Sequence, residues 1–243
     1  MPKPTSTSRL KYKRVLLKVS GEGLCDAGGS GIDSDAVLSL ARKIQKLASI
    51  GVELAVVVGG GNFVRGAQLD VPHIQAATKD YMGMLATVMN AIALQDTCES
   101  IGLETRVQSS ITINRVCEPW IRRRAVRHLE KGRVVILGAG TGNPHFTTDT
   151  AAAQRAIELD CTLLMKATKV DGVYDSDPKK NSKAKKYDRI SYLDCINKNL
   201  RVMDATAITL CKEYGLPIMV VNMASDADLA AAVQGKAVGT LVG

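Results

Sequence analysis

Apolar residues recur along this chain in two rhythms. Short runs, VLLKV at Val15–Val19, VELAVVV at Val52–Val58, VVIL at Val134–Leu137 and LPIMVV at Leu216–Val221, have the length of buried strands. Three further extended pieces are expected at Glu104–Gln108, Cys161–Met165 and Val170–Tyr174. Between them the spacing lengthens. Val37, Leu40, Ile44 and Leu47 repeat at helical intervals behind a cap at Asp33 or Ser34, and Gly51 stops that helix. Longer helical patterns cover His73–Ile101, Glu118–Glu130 (opened by Pro119 at its first turn), the alanine-rich stretch after Asp149, Asp204–Tyr214 and Asp226–Gln234. Ser176–Asp188 is rich in lysine and reads as a surface loop. Strands alternating with helices predict an α/β fold, a three-layer αβα sandwich around a largely parallel central sheet.

Composition sharpens this picture. Apolar residues make up 46% and aromatics 4%, the balance of a parallel sheet covered on both faces. No Gly/Ser- or Pro-rich linker interrupts the chain, so a tail over residues 1–12 and one domain over 13–243 are expected. The six cysteines form no CxxC pair and read as reduced, buried side chains. No segment has signal-peptide or membrane-spanning character, which predicts a cytoplasmic protein. The net charge of +8 concentrates in the N-terminal tail, Arg122–Arg133 and Lys179–Arg189. No aromatics interleave these basic runs, so nucleic acid is a secondary partner and attraction of a polyphosphate the better reading.

Three strands run into glycine turns, at Gly21–Gly23, Gly59–Gly61 and Gly138–Gly142. None completes GxGxxG, because the third glycine position holds Asp26, Val64 and Asn143 in turn, and GxxxxGK[ST] is absent. What remains is a site assembled from several strand ends. Glycine turns offer backbone N–H groups; Lys18, Arg65 and Lys166 offer charge. Ser20, Thr141, Thr147 and Thr148 offer hydroxyls, and Asp149 a carboxylate that also suits a helix cap. Phosphoryl transfer needs this kind of positioning and charge neutralisation, and two glycine loops suit a phosphorylated donor and a phosphorylated acceptor. His73, His128 and His145 form no nucleophilic set with a serine or cysteine, and no side chains are assigned as metal ligands.

KVSGE at Lys18–Glu22, GGGNFVRG at Gly59–Gly66, DYMGMLAT at Asp80–Thr87, TGNPHFTTD at Thr141–Asp149 and KATKVDGVYDSDP at Lys166–Pro178 occur in this order. With these motifs the chain resembles the bacterial uridylate (UMP) kinases of the amino acid kinase family, from about Tyr12 to its end. The resemblance implies transfer of the γ-phosphoryl of ATP to UMP, with Mg²⁺ accompanying ATP. It places Lys18, Val19, Ser20 and Gly21 on the ATP phosphates with Gly61 and Arg65 beside them, and Thr168, Tyr174 and Asp177 around the adenine nucleotide. UMP would be held by Gly60, Asp80 and the run Thr141, Gly142, Asn143, Pro144, His145, Phe146, Thr147 and Thr148. Lys18, Arg65, Asp149 and Lys166 would form the catalytic set, Asp149 orienting the lysines. His145 stands where such kinases usually have Phe or Tyr. The family further implies a homohexamer built as a trimer of dimers and inhibition by UTP. Two other readings stay open at this stage: a carboxylate or carbamate kinase of the same fold, and a nucleotide-sensing or nucleic-acid-binding regulator.

Overall fold

The computed structural model describes residues 10–26, 28–64, 71–178, 180–181, 183–200 and 202–243. In chain order the elements are β1 (Arg14–Val19), α1 (Ser34–Ser49), β2 (Glu53–Val58), α2 (Ala76–Ser100), β3 (Thr105–Ser109), β4 (Glu118–Pro119), α3 (Arg122–Glu130), β5 (Val134–Gly138) and α4 (Thr148–Glu158). They continue with β6 (Leu163–Thr168), β7 (Val173–Tyr174), β8 (Lys186–Tyr187), β9 (Arg189–Ile190), α5 (Tyr192–Asn197), α6 (Ala205–Glu213), β10 (Ile218–Asn222), α7 (Asp226–Val233) and β11 (Thr240–Val242). Nine strands form one sheet in the order β4-β3-β5-β2-β1-β6-β10-β11-β9, while β7 and β8 make a separate antiparallel ribbon. Every pairing in the large sheet is parallel except β10 with β11.

The strands are apolar on both faces because both faces are covered. Val15, Leu17 and Val19 of β1 join Leu54, Val56 and Val58 of β2 in a core shared with α1, α2 and α7. Leu16, Ala55, Val57 and Leu164 point the other way, into a core shared with α3, α4, α5 and α6. That alternation fixes the parity of each strand. Lys18 shares its face with Leu16, and Lys166 shares its face with Leu164, so both lysines emerge beneath α4.

The chain leaves β1 through α1 on one face and reaches β6 through α4 on the other. β1 and β6 are neighbours, which makes their carboxyl ends a topological switch point, where open α/β sheets form their binding crevice.

Some boundaries differ from the sequence reading. Glu118 and Pro119 do not open a helix: they pair with Gln108 and Ser109, the Trp120 N–H continues that ladder to the Ser109 carbonyl, and α3 begins at Arg122. Residues expected as surface loop contain β8, held against β7. Tyr12 is already buried in the first core, its N–H bonded to the Val233 carbonyl. The strand anticipated at Cys161–Met165 lies at Leu163–Thr168 and so carries Lys166 within it. No helix among the described residues is long and apolar enough to cross a membrane.

Candidate active site

Lys18 and Lys166 are register partners on adjacent parallel strands, on one face, near the carboxyl edge. Two ammonium groups side by side repel, and the first turn of α4 brings the counter-charge. Thr147 caps that helix, accepting from the Asp149 and Thr150 N–H groups, and so fixes Asp149 over the strands. One Asp149 oxygen lies 2.8 Å from Lys18 Nζ and the other 2.7 Å from Lys166 Nζ. All three side chains are nearly buried. Burial pushes the Asp149 carboxyl up, but the two lysines outweigh it and hold the group below its ordinary value. Burial, with the Lys18 charge adding, lowers Lys166 below the usual lysine range against the pull of Asp149. The triad is a compact cationic centre with one net positive charge, poised to meet an anion.

The glycine turn after β2 packs against the turn after β1. A Cβ on Gly21 would lie 2.5 Å from Asn62 Oδ1 and 2.8 Å from the Gly61 nitrogen, so only glycine lets the two turns touch. Gly60 answers to a different neighbour: its Cβ would stand 2.7 Å from the Gly83 carbonyl of α2. A buried pair of amides locks this arrangement. Asn62 Nδ2 donates to Asn90 Oδ1 at 2.9 Å, Asn90 Nδ2 returns a bond to Asn62 Oδ1 at 2.7 Å, and Asn90 also donates to the Gly59 carbonyl.

Three clefts hold the residues expected at the site, and both lysines of the triad line the second of them. The first, about 210 Å³, is lined by Gly60, Gly61, Asp80, Thr141, Phe146, Thr147 and Thr148, among others. Asp80 Oδ2 accepts a bond from the His145 N–H at 2.8 Å, with the His145 ring 3.7 Å away. Gly142, Asn143, Pro144 and His145, also expected at the acceptor, do not line this cleft. The second, about 660 Å³, holds Lys18, Val19, Ser20 and Lys166. The third, about 380 Å³, brings together Thr168, Tyr174 and Asp177, and Thr168 also lines the second. Tyr174 Oη donates to Asp171, which Lys186 of β8 also pairs. Arg65 lies outside the described residues.

Four residues that the sequence reading did not single out hold this site. Thr87 of α2 accepts from the Ala139 N–H at 2.7 Å and so ties the glycine turn after β5 to the helix. Asn90 anchors the turn after β2. Asp204, the cap of α6, accepts from the hydroxyls of Thr147 and Thr150. Arg155 of α4 is buried behind the Thr141 turn. Thr87 ends the DYMGMLAT motif and Asn90 follows it by three residues, but nothing local says that they face the glycine turns.

A doubly covered parallel sheet, glycine turns at its switch point and a lysine pair clamped by one carboxylate define a phosphoryl-transfer site. The chain belongs to the amino acid kinase family, whose model matches residues 13–222. Its structure is similar to that of UMP kinase from Bacillus anthracis, with 40% identity, a TM-score of 0.92 and coverage of 95% of this chain and 96% of that one. UMP kinase from Ureaplasma parvum shares 34% identity at a TM-score of 0.88, over 96% and 99% of the two chains. Uridylate kinase from Archaeoglobus fulgidus shares 28% at 0.73, over 94% and 99%.

Proposed function

We propose that the chain is a UMP kinase, transferring the γ-phosphoryl of ATP to UMP to give UDP and ADP. What supports this reading is the placement of the Lys18–Asp149–Lys166 triad: both lysines line the second cleft, and Thr147 and Thr148, directly before Asp149 in the chain, line the first. In this reading ATP lies with its base near Tyr174 and Asp177 and its phosphates over Lys18, Ser20 and Gly21, while UMP lies between Asp80 and the Thr141–Thr148 turn. Val19 and Gly61 supply backbone beside the phosphates. An oxygen of the UMP phosphate attacks the γ-phosphorus in line, and the bond to the bridging β–γ oxygen breaks, leaving ADP. The attacking oxygen is already ionised at neutral pH, so the transfer needs no general base. Lys18 and Lys166 neutralise charge as it spreads over the moving group, and Asp149 keeps both ammonium groups in place without competing for the phosphorus.

Among the described residues no cluster of three or more His, Cys, Asp or Glu side chains could hold a metal ion. In this reading Mg²⁺ would arrive on ATP, held by phosphate oxygens and water. There Mg²⁺ would shield the β- and γ-phosphates and fix their orientation.

Assembly as a homohexamer is part of the same proposal. Tyr81, Leu85 and Met89 form an exposed apolar row along α2, at four-residue steps on one face, as a helix-to-helix subunit contact would need. UTP, with the uridine of UMP and a longer phosphate chain, would inhibit by occupying the acceptor cleft.

Coupled measurement of ADP release tests the activity with UMP, CMP, aspartate, acetylglutamate and carbamate as acceptors. UMP should dominate by kcat/KM. Turnover of a carboxylate or carbamate in its place would move the chain to another branch of the family.

A further inference from the structure

Arg155 is only 4% exposed, an unusual position for a guanidinium, and the transfer reaction as described makes no use of it. It projects from α4 to the back of the turn that follows β5. Nη1 is 2.5 Å from the Glu158 carboxylate; Nη2 donates to Ser110 Oγ at 2.9 Å and reaches the Thr141 carbonyl at 3.4 Å. The guanidinium is centred 4.6 Å from the ring of Trp120, the chain's single tryptophan. Ser110 passes the contact on: its hydroxyl donates to the Gly140 carbonyl at 2.8 Å.

That turn needs outside support. Ala139 and Gly140 follow each other in the left-handed region, at φ 60° and 55°, and Gly142 joins them at φ 83°. A non-glycine residue there persists only where its surroundings hold it. Thr87 bonds the turn from the α2 side, at the Ala139 N–H. Ser110 and Arg155 bond its carbonyls at Gly140 and Thr141, the two residues of the turn that, with Thr87, line the acceptor cleft.

We infer that Arg155 is a positioning residue for the acceptor: through Ser110 and the Thr141 carbonyl it holds the turn in the shape that binds the nucleoside monophosphate. This rests on the acceptor-cleft reading above. Two terminal nitrogens held apart in a rigid fork let one arginine meet Glu158 from Nη1 and Ser110 and Thr141 from Nη2, a spread that the single nitrogen of an ammonium group does not have.

The test is initial-rate kinetics on the full chain for Arg155→Met, Arg155→Lys, Ser110→Ala and the double variant Arg155→Met/Ser110→Ala, with calorimetric titration of UMP alone. Loss of a charge-assisted bond network should raise KM and Kd for UMP by about tenfold or more in Arg155→Met. The KM for ATP should stay within about twofold, as the donor clefts make no contact with this network. Arg155→Lys should keep most of the defect, because it restores charge and not the fork. Ser110→Ala should shift UMP in the same direction, and the defect of the double variant should fall short of the product of the two single defects, since both remove the shared Arg155–Ser110 bond.

Equal rises in both KM values, a lower melting temperature with unchanged UMP affinity, full rescue by lysine, or multiplying defects would each overturn the inference. If Arg155→Met fails to fold, Ser110→Ala and Arg155→Lys decide it by the same readings. Failure of the functional reading looks different: the unaltered chain then prefers another acceptor, and the four variants are scored on that acceptor against ATP by the same criteria.

Discussion

Asp149→Asn separates the two tasks given to the triad, holding the lysines and moving the phosphoryl group. The change keeps the side chain's shape and removes the one negative charge between two nearly buried ammonium groups, 2.8 and 2.7 Å away. At an effective dielectric of about 20, each contact carries roughly 6 kcal/mol of Coulomb energy, most of which offsets desolvation. Breaking a buried pair by deleting one partner costs about 3–5 kcal/mol. Taking about 3 kcal/mol, because asparagine still accepts a hydrogen bond, a chain of this size should melt about 6–12 °C lower. ATP should reverse much of that loss, since its phosphates replace the missing counter-charge. The variant should bind ATP as tightly as the parent or up to about tenfold tighter, one repelling charge having gone. Turnover should nevertheless fall about a hundredfold or more, because the lysines are no longer held on the line of transfer. Scanning calorimetry with and without ATP, calorimetric ATP binding and single-turnover rates measure these three quantities. Weaker ATP binding together with a rate within twofold of the parent would refute the assignment of Asp149 as the orienting group.

Three other outcomes follow from the same geometry. Asp80→Asn should raise the KM for UMP several-fold while leaving that for ATP unchanged, read by initial rates at saturating co-substrate. Asn90→Ala removes the bond to the Gly59 carbonyl and both bonds to the buried Asn62 amide, leaving Asn62 Nδ2 only its bond to the Gly31 carbonyl among the described residues; it should destabilise the fold by about 2–4 kcal/mol in urea titration. Acid should unfold the chain through its paired carboxylates. Burial pushes Asp149 and Glu53 up, but Lys18 and Lys166 around the first, and Arg14 and Lys13 around the second, hold both below their ordinary values of 3.8 and 4.5. Groups depressed in the folded state add stability above the unfolded values and lose it as pH falls through the folded ones. The melting temperature should therefore be steady above about pH 5 and drop progressively below about pH 4, less steeply in Asp149→Asn.

How much of this was legible in the chain differs from residue to residue. Lys18 stood out because a charge inside an apolar strand must leave at its end, and the alternation of β1 then fixes the face. Asp149 suits a helix cap beside a glycine turn in the sequence, but the cap is Thr147 and Asp149 sits in the first turn, and its place over the lysines needs β1 and β6 to be neighbours. Lys166 lay just past the expected strand, because the pattern at Cys161–Met165 gave no hint that pairing with β1 and β10 extends β6 to Thr168. The two-residue strands β4, β7, β8 and β9 exist through their partners and carry no local period to read. The same holds for Thr87, Asn90, Asp204 and Arg155. Each acts on a turn distant in sequence, so only tertiary register reveals what its side chain meets.

The central claim, that donor and acceptor meet over the Lys18–Asp149–Lys166 triad, is tested most directly by a crystal structure of the chain with UMP and a non-hydrolysable ATP analogue. The account predicts the UMP phosphate beside Thr141–Thr148, in line with the γ-phosphate, and both lysines in contact with the group between them. A uridine nucleotide seated elsewhere, or a γ-phosphate out of reach of Lys18 and Lys166, would contradict it.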